Sequence, residues 1–458
     1  MSDIYKANNR PPDNERVQYQ LQQILEKLQL DDLPAGGSLV VFHKGKCIVQ
    51  ASVGLANFNK PWSADTLSLN FSTGKGVLAT LIHVLVSEKL LQYDSAIADY
   101  WPAFSAKGKA QITLREVLSH QADLFAISSI EADHQTLLDW QAMLIEVAAM
   151  PITPPDNAAI YDSAYSALVY GWILGGLIEK VTNMSLAAAL ETYVTQPLGI
   201  AESCYFGVPK DRVGDVATLS KHFEIANKTT SKSSQKSNKP LFKADSVSTL
   251  QTYAELPSYQ CWQQLAVEQG LVDLDTPLTA TLVNRLYFDH SAINAKNYRA
   301  ALIPIDKQPL DYYHKEVLQA IIPAANGVAS ARALATIYAM LANGGVWQGK
   351  TLIDATTFAQ LSMPQVHGMD AVMPASMEWR LGYHRLFSVC QMIDDNDVNT
   401  LNQQGFGHMG YNGSVAWCDP TRQLSFAFVH NFETTMLTDS RQFALTEALL
   451  SLIDAEVS

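Results

Sequence analysis

The chain lacks features that mark several common protein classes. Its five cysteines are scattered through 458 residues without a Cys-x-x-Cys pair, so neither a zinc site nor a disulfide framework is indicated. The 32 Lys and Arg against 45 Asp and Glu leave a formal net charge of −13, without the basic excess that binds nucleic acid. No His-Glu-x-x-His or Gly-x-Ser-x-Gly motif occurs, which argues against a metal site of that kind and an α/β-hydrolase triad. We therefore expect no metal, no other cofactor and no nucleic-acid partner.

Long apolar runs are absent as well. The most apolar stretches, around 76–86 and 164–178, fall short of the roughly 18 residues that a membrane span needs. The N-terminus lacks a basic segment followed by an apolar one, as a secretory signal would have. We therefore expect a cytoplasmic protein without a membrane partner, and we infer no oligomeric state. The polar Ser/Lys-rich segment at 227–243 predicts a surface insertion, with a local anion-binding patch as the alternative.

Strand patterns stand at both ends of the chain and helical patterns in the middle. Two β-branched runs around Lys44-Gly45 predict a hairpin, and residues 414–430 predict a second one that turns at Asp419-Pro420. From about Ile112 to 300 the pattern is mostly helical.

The simplest fold class that accounts for these patterns is α+β, an α/β sandwich. One antiparallel sheet is built from both termini and flanked by helices, and a mostly helical domain is inserted. The predicted boundaries give a discontinuous sheet domain at 1–110 and 305–458, and a helical domain at 111–304.

The most informative motif is Ser-x-x-Lys at Ser72 and Lys75, where a long apolar segment with good helix formers begins. Residues three apart share one face of a helix, so the amine can reach the hydroxyl. A serine is a weak nucleophile until a neighbour removes its proton, and a lysine with an ordinary pKa of about 10.4 is protonated at neutral pH. Burial and the positive end of a helix both lower the pKa of such a lysine. The alternative interpretation is a helix cap followed by a surface lysine.

A tyrosine precedes the next clear helical pattern. Tyr161, in Tyr161-Asp-Ser163, lies just before a predicted helix over 163–181. A tyrosine at such a junction can project into a cleft, where a nearby lysine would lower the phenol pKa and make a phenolate base. A partly buried core tyrosine is the alternative.

Glycines surround His408 in Gly405-Phe-Gly-His408-Met-Gly410. Dense glycine lets a substrate lie against a strand edge, where N–H groups and His408 can bind it. The same glycines spell Gly-x-Gly-x-x-Gly. A polar stretch precedes them and a strand pattern follows, so no dinucleotide site is predicted.

In this order, Ser-x-x-Lys, Tyr-x-Ser and His-x-Gly resemble the motifs of the serine β-lactamase and penicillin-binding-protein superfamily. Within this superfamily the chain resembles class C β-lactamases, D-alanyl-D-alanine carboxypeptidases and family VIII carboxylesterases. The likeness runs from about Ser38 to Asn431 and includes Pro197-Leu-Gly199. It implies a β-lactamase/transpeptidase-like fold.

The resemblance also implies catalytic roles. Ser72 would be the nucleophile that becomes acylated. Lys75 and Tyr161 would together accept its proton and later activate water.

Four residues would bind substrate. His408 would contact it where many relatives place a lysine, and Gly410 and Tyr411 follow in the same motif. The Tyr411 N–H would pair with the Ser72 N–H as an oxyanion hole. Ser163 stands where Tyr-x-Asn is commoner, and a hydroxyl cannot offer both an amide N–H and a C=O. A largely neutral His408 would hold a substrate carboxylate less firmly than a lysine does.

These features predict a serine hydrolase that forms an acyl-enzyme and hydrolyses small esters or amides, with esterase-like activity first. A β-lactamase or a D-amino-acid peptidase or carboxypeptidase of the same family is the alternative. An inactive or weakly active ligand-binding relative is the second alternative.

Overall fold

The computed structural model describes most of the chain. The described residues are 13–29, 34–219, 222–223, 246–305, 310–390 and 405–457. The insertion predicted at 227–243 lies outside them.

Within the described residues the chain forms fifteen strands. They are β1 (Gly37–His43), β2 (Lys46–Val53), β3 (Leu55–Asn57), β4 (Lys60–Pro61), β5 (Ser68–Phe71), β6 (Cys204–Tyr205), β7 (Gly327–Ala329), β8 (Val346–Trp347), β9 (Lys350–Thr351), β10 (Val366–Met369), β11 (Ser376–Trp379), β12 (His384–Arg385), β13 (Phe406–Met409), β14 (Val415–Asp419) and β15 (Leu424–His430).

The same residues form seventeen α-helices. They are α1 (Asp13–Lys27), α2 (Thr73–Ser87), α3 (Ile97–Tyr100), α4 (Leu114–Leu118), α5 (His134–Leu138), α6 (Trp140–Ala149), α7 (Val169–Thr182), α8 (Leu186–Leu190), α9 (Gln196–Leu198), α10 (Val247–Ala254), α11 (Tyr259–Glu268), α12 (Ala280–Arg285), α13 (Ala295–Leu302), α14 (Lys315–Gln319), α15 (Ala331–Ala342), α16 (Ala355–Leu361) and α17 (Arg441–Val457). Short 3-10 or π turns cover Pro102–Gln111, Ile127–Ser129, Ala158–Ile160, Glu191–Thr195, Ala201–Ser203, Val213–Asp215 and His290–Ala292.

An eight-stranded antiparallel sheet joins the two ends of the chain. Its strand order is β10-β11-β12-β13-β14-β15-β1-β2, so the N-terminal hairpin extends the C-terminal strands. The hairpin turns at Lys44 and Gly45, whose φ angles of 51° and 72° suit the tight turn that matches strand twist. Both predicted hairpins and the predicted α+β fold class are confirmed. The domain boundaries at 110 and 305 stay a prediction.

Helices cover both faces of this sheet because its side chains alternate. Leu39 and Val41 of β1 belong to the core that contains α1 and α17, whereas Val40 belongs to the core that contains α2, α7 and α15. Helix α2 is buried from Thr73 to Val86 and contacts β13, α7 and α15. A helix with apolar neighbours all round can hold its first turn rigidly, and that turn carries the candidate site.

Two sequence expectations need correction or remain open. Cys261 and Cys390 form a disulfide with Cα atoms 5.7 Å apart, although no disulfide was indicated by the sequence. The two cysteines are 129 residues apart, and only the tertiary fold brings them together. Disulfides are rare in reducing compartments, so the cytoplasmic location stays a prediction.

Among the described residues, no single helix is long and apolar enough to cross a membrane. One pair of helices, α7 and the segment Leu186–Leu198, is long and apolar enough when the two are taken together, but the pair is sharply bent.

Candidate active site

Ser72 lies where β5 changes into α2. Its preceding residue, Phe71, has a φ of 49°, a left-handed conformation that is uncommon for a residue with a side chain. The Phe71 ring packs edge-on to Tyr312 and tilted to Tyr411, with centroids 5.6 and 5.9 Å away. Ser72 occupies the N-cap position, but its side chain makes no capping hydrogen bond. The hydroxyl is therefore available to other partners.

Lys75 is fully buried one helical turn after Ser72. Its Nζ lies 2.9 Å from the Ser72 Oγ, and 2.7 Å from both the Ala167 and Ala324 carbonyl oxygens. Within the described part of the chain, no carboxylate lies within ion-pair distance of the amine. Burial without a counter-ion lowers the pKa of Lys75 well below its ordinary value. The predicted contact between hydroxyl and amine is present, and the amine has the environment of a base.

Tyr165, rather than Tyr161, contacts this pair. The Tyr165 hydroxyl shares a hydrogen bond with Ser72, and the Lys75 Nζ lies 4.9 Å from the Tyr165 ring centroid. Burial, and to a smaller extent Asp370, raises the phenol pKa of Tyr165, although the Ser72 hydrogen bond opposes the rise. The Tyr165 phenol therefore keeps its proton at neutral pH, and the phenolate expected at Tyr161 stays a prediction.

Tyr161 and Ser163 lie in other contacts. The Tyr161 hydroxyl accepts a hydrogen bond from the Asn294 amide at 3.5 Å. The Ser163 hydroxyl donates to Asp370 at 2.7 Å and accepts from the Trp379 indole at 3.1 Å. The structure does not bring either predicted residue into contact with Ser72 or Lys75.

The difference arises from the position of the helix start. The sequence predicts a helix from Ser163, but α7 begins at Val169. Asp370 holds the intervening segment out of the helix, because it accepts the Ser163 hydroxyl and the Tyr165 N–H, and Ser163 forms a parallel bridge to it. Of Tyr161 and Tyr165, Tyr165 lies nearer to the true helix start, and the Ala167 carbonyl that follows it accepts a hydrogen bond from Lys75.

A pocket opens in front of Ser72. Its wall is mostly apolar and aromatic, and it is lined by Ser72, Tyr165, Ala167, Tyr298, Leu302, Val372, Met373, Trp379, His384, His408, Met409, Tyr411 and Met436. None of these lining residues is a lysine or an arginine.

The predicted His408 lies in the pocket wall, in β13, and is 2 % exposed. Its Nδ1 lies 2.9 Å from the Met409 carbonyl oxygen. Burial, together with the nearby His384 and Lys75, lowers the pKa of His408 well below its ordinary value. Burial also lowers the pKa of His384 to about 4. Both imidazoles are neutral at neutral pH.

Gly410 and Tyr411 lie beside the start of α2. A Cβ on Gly410 would stand 2.2 Å from the Asn70 carbonyl oxygen, so only glycine allows this close approach. The Gly410 N–H donates to Ser414 at 2.7 Å. In the described residues, neither the Tyr411 N–H nor the Ser72 N–H has a hydrogen-bond partner, and both residues line the pocket.

The comparisons with known proteins agree with this geometry. Residues 29–449 match the β-lactamase family. The chain belongs to that family. It is 30% identical over 414 residues to the esterase/β-lactamase LipL of Mycobacterium tuberculosis, covering 89% of this chain and 80% of the relative.

Solved structures of the family share the fold. A penicillin-binding-protein homologue from Caulobacter crescentus aligns with a TM-score of 0.65 and 26% identity, over 96% of this chain and 98% of that one. A family VIII carboxylesterase aligns with a TM-score of 0.65 and 24% identity, over 95% and 97%. The resemblance read from the motifs is confirmed, and the protein is a serine hydrolase of the β-lactamase family.

Sequence reasoning missed three groups that the β-lactamase-family fold brings together here. Tyr165 had a signal, since it also begins a Tyr-x-small tripeptide just before a helix. The Ala167 and Ala324 carbonyls had none, because a backbone oxygen carries no residue signature and the two are far apart along the chain.

Proposed function

We propose that this protein is an esterase that forms an acyl-enzyme on Ser72, with Lys75 as the base and Tyr165 as the proton relay. The observation that carries the proposal is the set of partners around the buried Lys75: two backbone carbonyls and the Ser72 hydroxyl. The name of the M. tuberculosis relative, an esterase/β-lactamase, points to the same chemistry.

The two backbone carbonyls occupy the N–H groups of a neutral Lys75 amine and leave its lone pair free to accept a proton. A neutral amine has two N–H groups and one lone pair, and carbonyl oxygens only accept hydrogen bonds. When both N–H groups donate to Ala167 and Ala324, the lone pair is left for the Ser72 proton. The Ser72 hydroxyl has a second acceptor in the Ala324 oxygen, at 3.2 Å against 2.9 Å for the amine.

Another buried lysine supports this argument by contrast. The Lys109 Nζ donates to three backbone carbonyls, those of Ala106, Ala148 and Met150, at 2.8, 3.1 and 2.5 Å. Three acceptors require three N–H groups, so that arrangement suits the protonated form. Lys75 instead has a partner that can itself donate, and this partner is the proposed nucleophile.

The proposed acylation follows from these positions. The Ser72 oxygen attacks the ester carbonyl carbon while its proton passes to the Lys75 Nζ. The Ser72 and Tyr411 N–H groups stabilise the resulting oxyanion. The C–O bond to the leaving alcohol then breaks, and the Tyr165 phenol gives its proton to the departing oxygen and recovers one from Lys75. Water repeats the sequence on the acyl-enzyme and releases the acid and free Ser72.

The pocket favours esters over substrates that carry a carboxylate. β-Lactams and peptides with a free C-terminus present an anion, which a cationic side chain binds well. The pocket wall contains no lysine or arginine, and its His408 is neutral. We therefore rank β-lactam hydrolysis and D-amino-acid peptidase activity second. Non-catalytic ligand binding ranks third, because the hydroxyl, amine and phenol are all present.

Intact-mass analysis tests the proposal. The protein is incubated with a fluorophosphonate, and in parallel with p-nitrophenyl butyrate and a penicillin. We expect a single phosphonyl adduct that peptide mapping places on Ser72, ester turnover well above penicillin turnover, and neither adduct nor turnover in Ser72→Ala. An unmodified wild-type chain without ester turnover would favour the ligand-binding relative instead.

A further inference from the structure

His408 has one ring nitrogen without a partner. Its Nδ1 lies 2.9 Å from the Met409 carbonyl oxygen, and a carbonyl only accepts, so Nδ1 carries the hydrogen. The Nε2 is buried and has no hydrogen-bond partner in the described residues. In the neutral ring this atom holds a lone pair and is a hydrogen-bond acceptor.

The surroundings keep the ring neutral. Burial lowers the pKa of His408 most, and the titratable groups that face the ring, His384, Lys75 and His120, lower it further. No carboxylate of the described chain forms an ion pair with the ring. The Nε2 therefore stays an acceptor near neutral pH.

None of the described side chains donates a hydrogen bond to this nitrogen. The Tyr165 hydroxyl is hydrogen bonded to the nucleophile, and the Trp379 indole donates to Ser163. The Nδ1 of His384 faces a backbone carbonyl and its Nε2 accepts a backbone N–H. His408 also lines the pocket, so a molecule bound there can supply the donor.

We propose that His408 is a specificity residue that accepts a hydrogen bond from the substrate. The substrate class is then an uncharged ester with a hydroxyl or N–H group close to the scissile bond, in otherwise apolar surroundings. This inference rests on the proposed esterase function and narrows it. Where a lysine at this position would bind a substrate anion, the neutral His408 accepts a hydrogen bond from an uncharged substrate group.

Pairs of esters that exchange one hydroxyl for a methyl group test the inference. Methyl lactate and methyl isobutyrate differ in this way next to the carbonyl, as do methyl 3-hydroxybutyrate and methyl 3-methylbutyrate one carbon further. On the alcohol side, 2-hydroxypropyl acetate and 2-methylpropyl acetate form a third pair. A pH-stat measures acid release for all six, with both enantiomers of each chiral ester.

We expect the wild-type enzyme to prefer the hydroxylated member of at least one pair by about 5- to 100-fold in kcat/KM. The methyl analogue fills the same space but leaves the Nε2 buried without a donor, which is more costly than losing an ordinary hydrogen bond. His408→Leu should bring that ratio to about one, because leucine has no acceptor. His408→Gln, which keeps an acceptor oxygen, should restore part of the preference.

The outcomes separate the two proposals. Ratios near one in all three pairs, with hydrolysis that depends on Ser72, would overturn the role of His408 and leave the esterase standing. A preference that persists in His408→Leu would also overturn it. If no ester is hydrolysed and Ser72 takes no phosphonyl adduct, both proposals are wrong. If the variants do not fold, as judged by circular dichroism, the wild-type ratios alone decide.

Discussion

Replacing Lys75 by methionine should separate its chemical role from its structural one. Methionine has a similar length and no amine, so the buried volume stays filled while the base is removed. Lys109→Met is the matched control, because Lys109 is equally buried, is also held by backbone carbonyls and has no contact with Ser72. Both variants lose a buried amine, and only one loses a candidate base.

The structure sets the size of each effect. Loss of a positioned base lowers kcat/KM by about 10²- to 10⁴-fold, and we expect this for Lys75→Met. Each carbonyl left buried without a donor costs about 1–3 kcal/mol. Lys75→Met leaves the Ala167 carbonyl without a donor, because the Ser72 hydroxyl can still donate to Ala324, whereas Lys109→Met leaves three carbonyls without one, so the control should be the less stable variant. Lys75→Met should therefore lose more activity, and Lys109→Met should lose more stability.

Ester turnover and urea denaturation measure the two quantities on the same samples. Lys109→Met should keep kcat/KM for p-nitrophenyl butyrate within about threefold of wild type at a temperature where it remains folded. Wild-type turnover in Lys75→Met would show that the Lys75 amine is not the base. A loss of activity in both variants in proportion to their lost stability would also exclude this role, because Lys75 would then act through the fold alone.

Three further outcomes are expected. Tyr165→Phe should lower kcat by about 10²-fold or more in steady-state assays, whereas Tyr161→Phe should stay within about threefold; equal effects would remove the relay role of Tyr165. In a pH–rate profile, kcat/KM should rise with pH as Lys75 loses its proton. The midpoint of this rise should lie below the ordinary lysine pKa of about 10.4, because burial lowers the pKa of Lys75. A midpoint near 10.4 would contradict the role of Lys75 as the base. Gly410→Ala should lower the free energy of unfolding by about 1–3 kcal/mol in urea titration, because its Cβ would overlap the Asn70 carbonyl; wild-type stability would show that the backbone adjusts freely.

The fold was largely predictable because its main elements are set locally. The hairpin at Lys44-Gly45 follows from two residues that take positive φ between β-branched runs. The start of α4 follows from a capping box between Thr113 and Glu116, which the structure shows with both hydrogen bonds formed. The assembly of the central sheet from both termini follows from the strand patterns at the two ends of the chain.

The choice of tyrosine was not predictable from local pattern. Tyr161 and Tyr165 both precede an apolar helical run, and the sequence favours a helix from Ser163 onward. Asp370, more than 200 residues away, takes the Ser163 hydroxyl and the Tyr165 N–H and delays the helix. A tertiary hydrogen bond thus decides which phenol reaches the nucleophile. The disulfide between Cys261 and Cys390 escaped prediction for the same kind of reason.

One physical cause sets the protonation of all the groups around the nucleophile. Burial in apolar surroundings disfavours charge, so it lowers the pKa of Lys75 and His408 and raises that of Tyr165. The resting site then holds a neutral amine, a neutral imidazole and a neutral phenol, with no fixed charge to attract an ionic substrate. Charge arises in such a site only when the Ser72 proton moves and the carbonyl oxygen becomes an oxyanion, and it is then close to the Ser72 and Tyr411 N–H groups. In the proposed mechanism, the burial that lets Lys75 act as the base also makes the pocket selective for uncharged esters, so the two properties should be gained or lost together when charge is introduced into the wall.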